Sequence, residues 1–487
     1  MLQALKEEAN YTLTQNGALT YSSSGNHCLD LFAVIGSLRN SSDRTINTLF
    51  ELAYCENPDI AMKILFFARD VRGGLGERRI FRTIFQHLAY TQPQSVSKNL
   101  RYIAEYGRWD DLLCLLNTPC KAQVLTIIKE QFHNDLQALT ANGKISLLAK
   151  WLPSTNASNW QTRRLAKLLI KKLQMTNKEY RQALALLRSR IKIIENNLRQ
   201  SDYSFAYSKQ PAKAMYKYRK AFLRNDSKRY KLFLDDVSSG KRKLNTKTLT
   251  PHDIVHTILS FPYYQSQDER LALDTTWKAL PDYTNCANAL VVVDGSGSMY
   301  FGREIVPIDV AISLAIYYAE RNKGAFANHF ITFSTTPRLV EIKGRDIYEK
   351  AKYCMSYNEC SNTNLKNVFE LVLNAAIKHN IPQEDMPTKL YIISDMEFDS
   401  CADAADITNF AYAKKLFAQH GYKLPQIVFW NVDSKSTQQP VKLDETGTVL
   451  VSGTSPIVFS LLQNDNLNPL KLMLQTLSAP RYSAIVA

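Results

Sequence analysis

The chain has 487 residues, 45% of them apolar and 22% charged, with a formal net charge of +15. That length exceeds what one ordinary core supports, so two or more domains are expected. No uncharged apolar run approaches the roughly 20 residues that span a bilayer, and the start Met1-Leu-Gln-Ala-Leu-Lys-Glu-Glu does not read as a secretory signal; a membrane protein is excluded and a cytoplasmic location expected.

The positive charge is unevenly placed. Residues 286–487 hold 18 Lys+Arg against 20 Asp+Glu, leaving 42 against 25 in residues 1–285. Such asymmetry points to a polyanionic partner, although a basic face can also be merely solvated. The eight cysteines include no Cys-x-x-Cys pair and have no histidines clustered beside them, which argues against zinc and for buried thiols in a reducing compartment.

Taken in order, residues 1–43 are mixed, with turn-rich Thr14-Gln-Asn-Gly-Ala18 and Ser22-Ser-Ser-Gly-Asn26 ahead of a short helix from Cys28. Helical periodicity then takes over: Thr45–Cys55, Asp59–Asp70, Glu77–His87, Ser95–Glu105, Trp109–Leu116 and Lys121–Leu139. Arg72-Gly-Gly-Leu-Gly-Glu77 interrupts it and is too short and wrongly placed for a phosphate loop. Trp109 reads as a core anchor, and Pro153 stops the helix that carries Lys150-Trp-Leu. Helical hairpins of about 40 residues predict an α-solenoid of HEAT-like repeats with an extended curved surface.

Residues 160–235 are the basic core. Arg163, Arg164, Lys167, Lys171 and Lys172 share one predicted helix, and Arg181, Arg188, Arg190 and Lys192 lie on the next. Lys209, Lys213, Lys217, Arg219 and Lys220 follow, then Arg224, Lys228, Arg229 and Lys231. Interleaved with Tyr216, Tyr218 and Tyr230, they fit phosphate contact plus base stacking. They fit equally a solvated helix face with tyrosines half in the core. Residues 268–285, with Trp277 and Pro281, lead into the second part.

From 288 the period changes. Strands are predicted near 289–294, 328–334, 336–342, 389–395, 426–432 and 447–451. Helices are predicted near 305–321, 346–356, 364–379, 404–419, 456–463 and 468–478. This alternation implies a doubly wound, mostly parallel, Rossmann-like sheet. The apolar run Leu290-Val-Val-Val293 ends in Asp294-Gly-Ser-Gly-Ser298. One carboxylate and two hydroxyls then leave the carboxyl end of a buried strand, where such sheets bind ligands. Hard oxygens suit Mg²⁺, Mn²⁺ or Ca²⁺. A Gly-Ser turn in which Asp294 only caps the next helix is the plainer reading.

Asp294-x-Ser296-x-Ser298 resembles the signature of a von Willebrand factor A domain. In that family the metal-ion-dependent adhesion site takes a threonine from a second loop and an aspartate after a later strand. The resemblance thereby implies Thr363, in Ser361-Asn-Thr-Asn364, and Asp395, ending Lys389-Leu-Tyr-Ile-Ile-Ser-Asp395, as the rest of the metal set. Glu397 and Asp399 read as solvated loop acids. Over nearly its full length the chain is similar to the Ro (TROVE) architecture. That likeness rests on Asn16-Gly-Ala18, Ile64-Leu-Phe-Phe-Ala-Arg-Asp-Val-Arg-Gly-Gly74 with Gly76-Glu77-Arg78, Tyr106-Gly-Arg-Trp-Asp-Asp111, Lys150-Trp-Leu-Pro153, Leu424-Pro-Gln-Ile-Val-Phe-Trp-Asn431 and Val451-Ser-Gly-Thr-Ser-Pro456. The expected fold class is therefore α plus α/β. A basic helical HEAT-like, TROVE-like domain over 1–285, able to close into a ring, precedes a von Willebrand A domain over 286–487.

Three functions follow as expectations. The first is a non-catalytic, Ro-like RNA-binding protein, part of a ribonucleoprotein, that carries a structural divalent ion, Mg²⁺ foremost. RNA would meet Arg163, Arg164, Lys167, Lys171, Lys209, Lys213, Lys217, Arg219, Lys220, Lys228 and Arg229. The alternative is a metal-dependent protein-interaction module whose partner offers an Asp or Glu carboxylate to the ion. The third, a metal-assisted hydrolase, lacks a base close behind the site: His329 lies on a predicted strand and His379 at a helix end.

Overall fold

The computed structural model describes residues 10–191, 193–260, 265–284, 288–302, 305–357, 363–400, 407–462 and 468–487. Met1–Glu8, Lys192, Ser361 and Asn362, named above, lie outside them, as do three of the eight cysteines, Cys286, Cys360 and Cys401. The described cysteines 28, 55, 114, 120 and 354 are free thiols.

A short antiparallel hairpin comes first, β1 (Tyr11–Leu13) and β2 (Leu19–Tyr21). Its strands are too short to show a period in the sequence. A helical half follows, with α1 (His27–Val34), α2 (Asp43–Glu56), α3 (Pro58–Arg69), α4 (Arg79–Thr91) and α5 (Lys121–Thr140). Several starts are encoded locally: Asn26, Ser42 and Asn57 each cap a helix by accepting a backbone N–H, and Pro58 occupies the first turn of α3. Next come α6 (Trp160–Leu173), α7 (Asn177–Ile191), α8 (Ala212–Asn225), α9 (Ser227–Ser238), α10 (Pro251–Ser260) and α11 (Gln267–Lys278).

The second half is a six-stranded sheet: β3 (Ala289–Asp294), β4 (His329–Phe333), β5 (Leu339–Glu341), β6 (Lys389–Ser394), β7 (Gln426–Asn431) and β8 (Thr448–Ser452). The spatial order is β5-β4-β3-β6-β7-β8, parallel except for the edge strand β5. Its helices are α12 (Pro307–Arg321), α13 (Ile347–Met355), α14 (Leu365–Lys378), α15 (Asn409–Gln419) and α16 (Pro469–Leu477). β3 is buried at every position, as its uninterrupted apolar run requires. The chain leaves β3 toward β4 on one side and β6 on the other. Their neighbouring carboxyl ends therefore form the point where strand order reverses, the place such sheets offer a ligand.

The two halves interlock. One apolar core runs from Ala18 to Ile485 and takes in helices of the first half and both faces of the sheet. Helix α12 is buried from Pro307 to Ala319 because β3 covers one side and α10 the other. The termini cross over. The hairpin turn donates Thr14 Oγ1 to the Phe398 carbonyl at 2.6 Å, while Asn99 Nδ2 donates to the Val486 carbonyl at 2.6 Å. A smaller cluster, with Tyr207, Phe222, Tyr230 and Phe233 at its centre, closes α8 on α9.

Candidate metal centre and basic cleft

The loop after β3 is organised by Asp294, which is wholly buried. Its Oδ1 accepts the Ser296 backbone N–H at 2.9 Å, fixing the turn, and its Oδ2 accepts the Ser394 hydroxyl at 2.5 Å from the end of β6. The Ser296 and Ser298 hydroxyls stand 3.0 Å apart. Asp395 continues directly from β6. Its Oδ1 accepts the Glu397 N–H at 3.2 Å, and the Ser298 hydroxyl hydrogen-bonds the same carboxylate. Asp395 Oδ2 is buried with no partner. The next residue, Met396, is held at φ +67°, a conformation that non-glycine residues adopt at a cost and that recurs at functional sites.

Burial and the Asp395 charge push the Asp294 carboxyl up to about 7, and burial raises Asp395 as well. Two carboxylates forced together in a dry site repel one another. Lys435 is the nearby charge that favours ionised Asp395. A partnerless carboxylate oxygen, a second buried carboxylate and two adjacent hydroxyls make a hard-oxygen donor set, which fits a Mg²⁺-class ion.

Thr363 is brought to the neighbouring loop. Its hydroxyl donates to the Glu397 carbonyl at 2.8 Å, lies 3.2 Å from Asp399 Oδ1 and accepts Asn16 Nδ2 at 3.0 Å. These hydrogen bonds tie the Thr363 hydroxyl to the chain just after Asp395 and to Asn16, and none of them reaches Ser296 or Ser298. Glu397 corrects an expectation: it is a buried clasp, not a solvated acid. It accepts Gln15 N at 2.7 Å, Ser436 Oγ at 2.6 Å and Gln438 Nε2 at 3.0 Å. Asp399 is half-buried and pairs with Thr363, and its carboxyl is raised by desolvation. The hairpin that closes on these acids lies some 380 residues upstream, a distance no local pattern bridges.

A cleft of about 780 Å³ opens where the helical half faces Thr454–Ile457. Among its lining residues, Arg39 is paired with Glu77, Arg78 with Asp110 and Lys213 with Asp253. Others sit against rings. Arg108 lies 4.9 Å and Lys150 5.6 Å from the centre of Trp151, and Lys217 lies 5.2 Å from that of Tyr218. Trp109 is half-buried: it packs against the main core, as its sequence implied, and also lines the cleft. The glycine loop shapes the wall. A Cβ on Gly74 would meet the Phe67 carbonyl oxygen at 2.0 Å, and Gly76 has φ +75°.

Of the basic residues expected to meet RNA, Lys213 and Lys217 line this cleft. Arg163, Arg164, Lys167 and Lys171 are exposed on α6 outside it, with Arg163 turned to the Ala157 and Ser158 carbonyls. Lys209 and Lys228 are also exposed, and Lys220 pairs with Glu269 at 3.1 Å. Two need correction. Arg219 is buried over the Tyr216 ring at 4.3 Å and faces Glu269 at 3.5 Å, so its guanidinium packs helices rather than meeting a phosphate. Arg229 is held by Asp226 at 2.8 Å and by the Tyr207 ring at 4.6 Å. Tyr230 is core, and the half-buried Tyr216 binds the Asp253 carbonyl at 2.7 Å, so neither offers a free stacking face. Arg108, Lys150 and Trp151 were the missed members, signalled only by aromatic-basic adjacency in Gly107-Arg-Trp and Lys150-Trp.

Comparison with known proteins gives three findings. The family model described as Domain of unknown function (DUF2828) matches residues 14–128 and 122–283, and that described as Domain of unknown function (DUF7788) matches 288–469. The chain is similar to uncharacterized protein L728 of Acanthamoeba polyphaga mimivirus, 30% identical over 511 residues, covering 96% of this chain and 87% of that protein. Among solved structures it is similar to the Ro (RSR) protein of Deinococcus radiodurans at 14% identity and a TM-score of 0.32, covering 92% of this chain and 86% of that one. No described helix is long and apolar enough to cross a membrane.

Proposed function

The chain belongs to the family described as Domain of unknown function (DUF2828), and from its cleft and loops we propose that it is a non-catalytic, Ro-like RNA-binding protein with a Mg²⁺ site of von Willebrand A type. The single observation that carries the RNA reading is the cleft, where Arg108, Lys150 and Lys217 hold their charges beside Trp151 and Tyr218. Cations track a phosphate backbone, and rings accept unstacked bases of any sequence. In this reading the helical half is a HEAT-like surface and residues 286–487 form the ion-bearing domain. Asp294 and Asp395 would hold the ion, with the hydroxyls of Ser296 and Ser298. Thr363 would reach it through the loop it shares with Glu397. The ion supplies a fixed positive charge that relieves two crowded carboxylates. A gentle affinity preparation of the full chain tests the proposal: RNA should co-purify and be removed by nuclease, and a preparation free of nucleic acid at low salt counts against it.

A second reading is favoured by the partnerless Asp395 oxygen. A site with two carboxylates and neutral hydroxyls leaves an ion able to take an external carboxylate, so a protein partner with an exposed Asp or Glu is its target. Asp294→Ala should abolish capture of that partner and leave the fold intact. Capture that survives both the substitution and a chelator removes this reading.

A further inference from the structure

We infer that His252, His256 and Asp309 form a second metal site, selective for a divalent transition ion of the zinc class and separate from the oxygen-lined Mg²⁺ loop. His252 and His256 stand four residues apart on α10, so both rings leave one face of the helix. The rings stack at 5.1 Å with 18° between their planes. Asp309 reaches them from the first turn of α12. One ligand atom from each residue lies within 4.8 Å of the others. Zinc–nitrogen and zinc–oxygen bonds are about 2.0–2.2 Å, so a small inward shift seats an ion among them.

The present contacts leave this cluster incomplete. His256 Nδ1 meets Asp309 Oδ2 at 2.6 Å, which satisfies that pair. His252 is 7% exposed, and its Nε2 is buried without a partner. A buried imidazole nitrogen with nothing to bond is costly, and a ligand for its lone pair explains it. Two imidazoles and one carboxylate are the donors that zinc, nickel, cobalt or iron prefer, whereas Mg²⁺ prefers oxygen alone. The Ser260 hydroxyl lies 3.1 Å from both ring nitrogens of His256, so it can orient the ring whichever nitrogen binds. Water can complete the shell from the cleft, which His252 lines.

The position gives the site a structural consequence. α10 belongs to the helical half, and α12 follows the Asp294–Ser298 loop in the sheet half. An ion here staples one half to the other at the helix that leads away from the Mg²⁺ loop. No local sequence pattern joins His252 to Asp309 across 57 positions.

The test uses the full chain, stripped with chelator and titrated with Co²⁺, whose visible absorption reports imidazole-containing coordination. One equivalent should bind, zinc should displace it, and X-ray absorption of the zinc form should show two imidazoles. His252→Gln and Asp309→Asn should each weaken uptake at least tenfold, while Asp294→Ala leaves it unchanged. Because either substitution could disturb folding, the unsubstituted chain decides first. No uptake at equimolar Co²⁺, or an oxygen-only zinc spectrum, overturns the assignment. So does uptake unaltered in a correctly folded His252→Gln or Asp309→Asn chain.

Discussion

The side-chain amide of Asn16 donates to the hydroxyl of Thr363 at 3.0 Å, across 347 residues of chain. The same amide donates to the Glu397 carbonyl at 2.7 Å. The first hairpin is thus part of the wall around the candidate metal loops. Asn16→Ala removes both bonds and should cost about 1–2 kcal/mol locally. The Asp399 amide, which donates to the Thr363 carbonyl at 2.9 Å, should then exchange with solvent roughly tenfold faster, measured by hydrogen exchange. Unchanged exchange there means the hairpin does not support the loop.

At the opposite end, Arg481 clasps the fully buried Asp70 through two hydrogen bonds, one of 2.8 Å, and Tyr482 adds a third at 3.2 Å. Arg481→Ala leaves a buried carboxylate without its cation. Breaking such a pair costs about 3 kcal/mol, so the denaturant midpoint should fall clearly. Lys98→Ala, at an exposed position, should barely move it.

The Asp294 carboxyl, pushed up to about 7, ties the metal site to pH. Its folded value lies above its unfolded one. Below the unfolded value both states hold the proton; between the two values only the folded state does. Metal-free protein should therefore lose stability as pH rises from about 4 to about 7 and level off above that. Saturating Mg²⁺ competes for the same oxygens and should reverse the trend. Mg²⁺ affinity should drop by up to about tenfold per pH unit below 7, read by calorimetry. A Mg²⁺ affinity independent of pH from 5 to 8 would falsify the assignment of Asp294 to the ion.

Trp151 lines the cleft whereas Arg219 is buried among the helices, so substitutions at the two have opposite consequences. Trp151→Ala should weaken binding of single-stranded RNA by about 1–3 kcal/mol with little loss of stability. Arg219→Ala should do the reverse, lowering the unfolding midpoint and leaving RNA affinity in the surviving folded fraction unchanged. Filter binding alongside denaturation distinguishes them.

Much of the second half was legible in the sequence because its signals are local. The run Leu290–Asp294 reads as a covered strand, and the six predicted strands fall within a few residues of those observed. The alternation of strands and helices also implied the parallel sheet with its site at the strand ends. What escaped was long-range. Glu397 reads as a loop acid until Gln15, Ser436 and Gln438 surround it. Arg219 reads as a free cation until Tyr216 and Glu269 cover it. His252 and His256 carry no meaning until α12 delivers Asp309. The hairpin strands β1 and β2, three residues each, are shorter than the window over which a period can be recognised.

Salt dependence of RNA binding tests the central claim most directly. Affinity of the full chain for a single-stranded RNA should fall linearly in logarithm as salt rises, and Lys217→Ala should lower that slope by about one phosphate contact. Absence of binding at low salt, or a slope identical in both chains, contradicts a cleft built for a phosphate backbone.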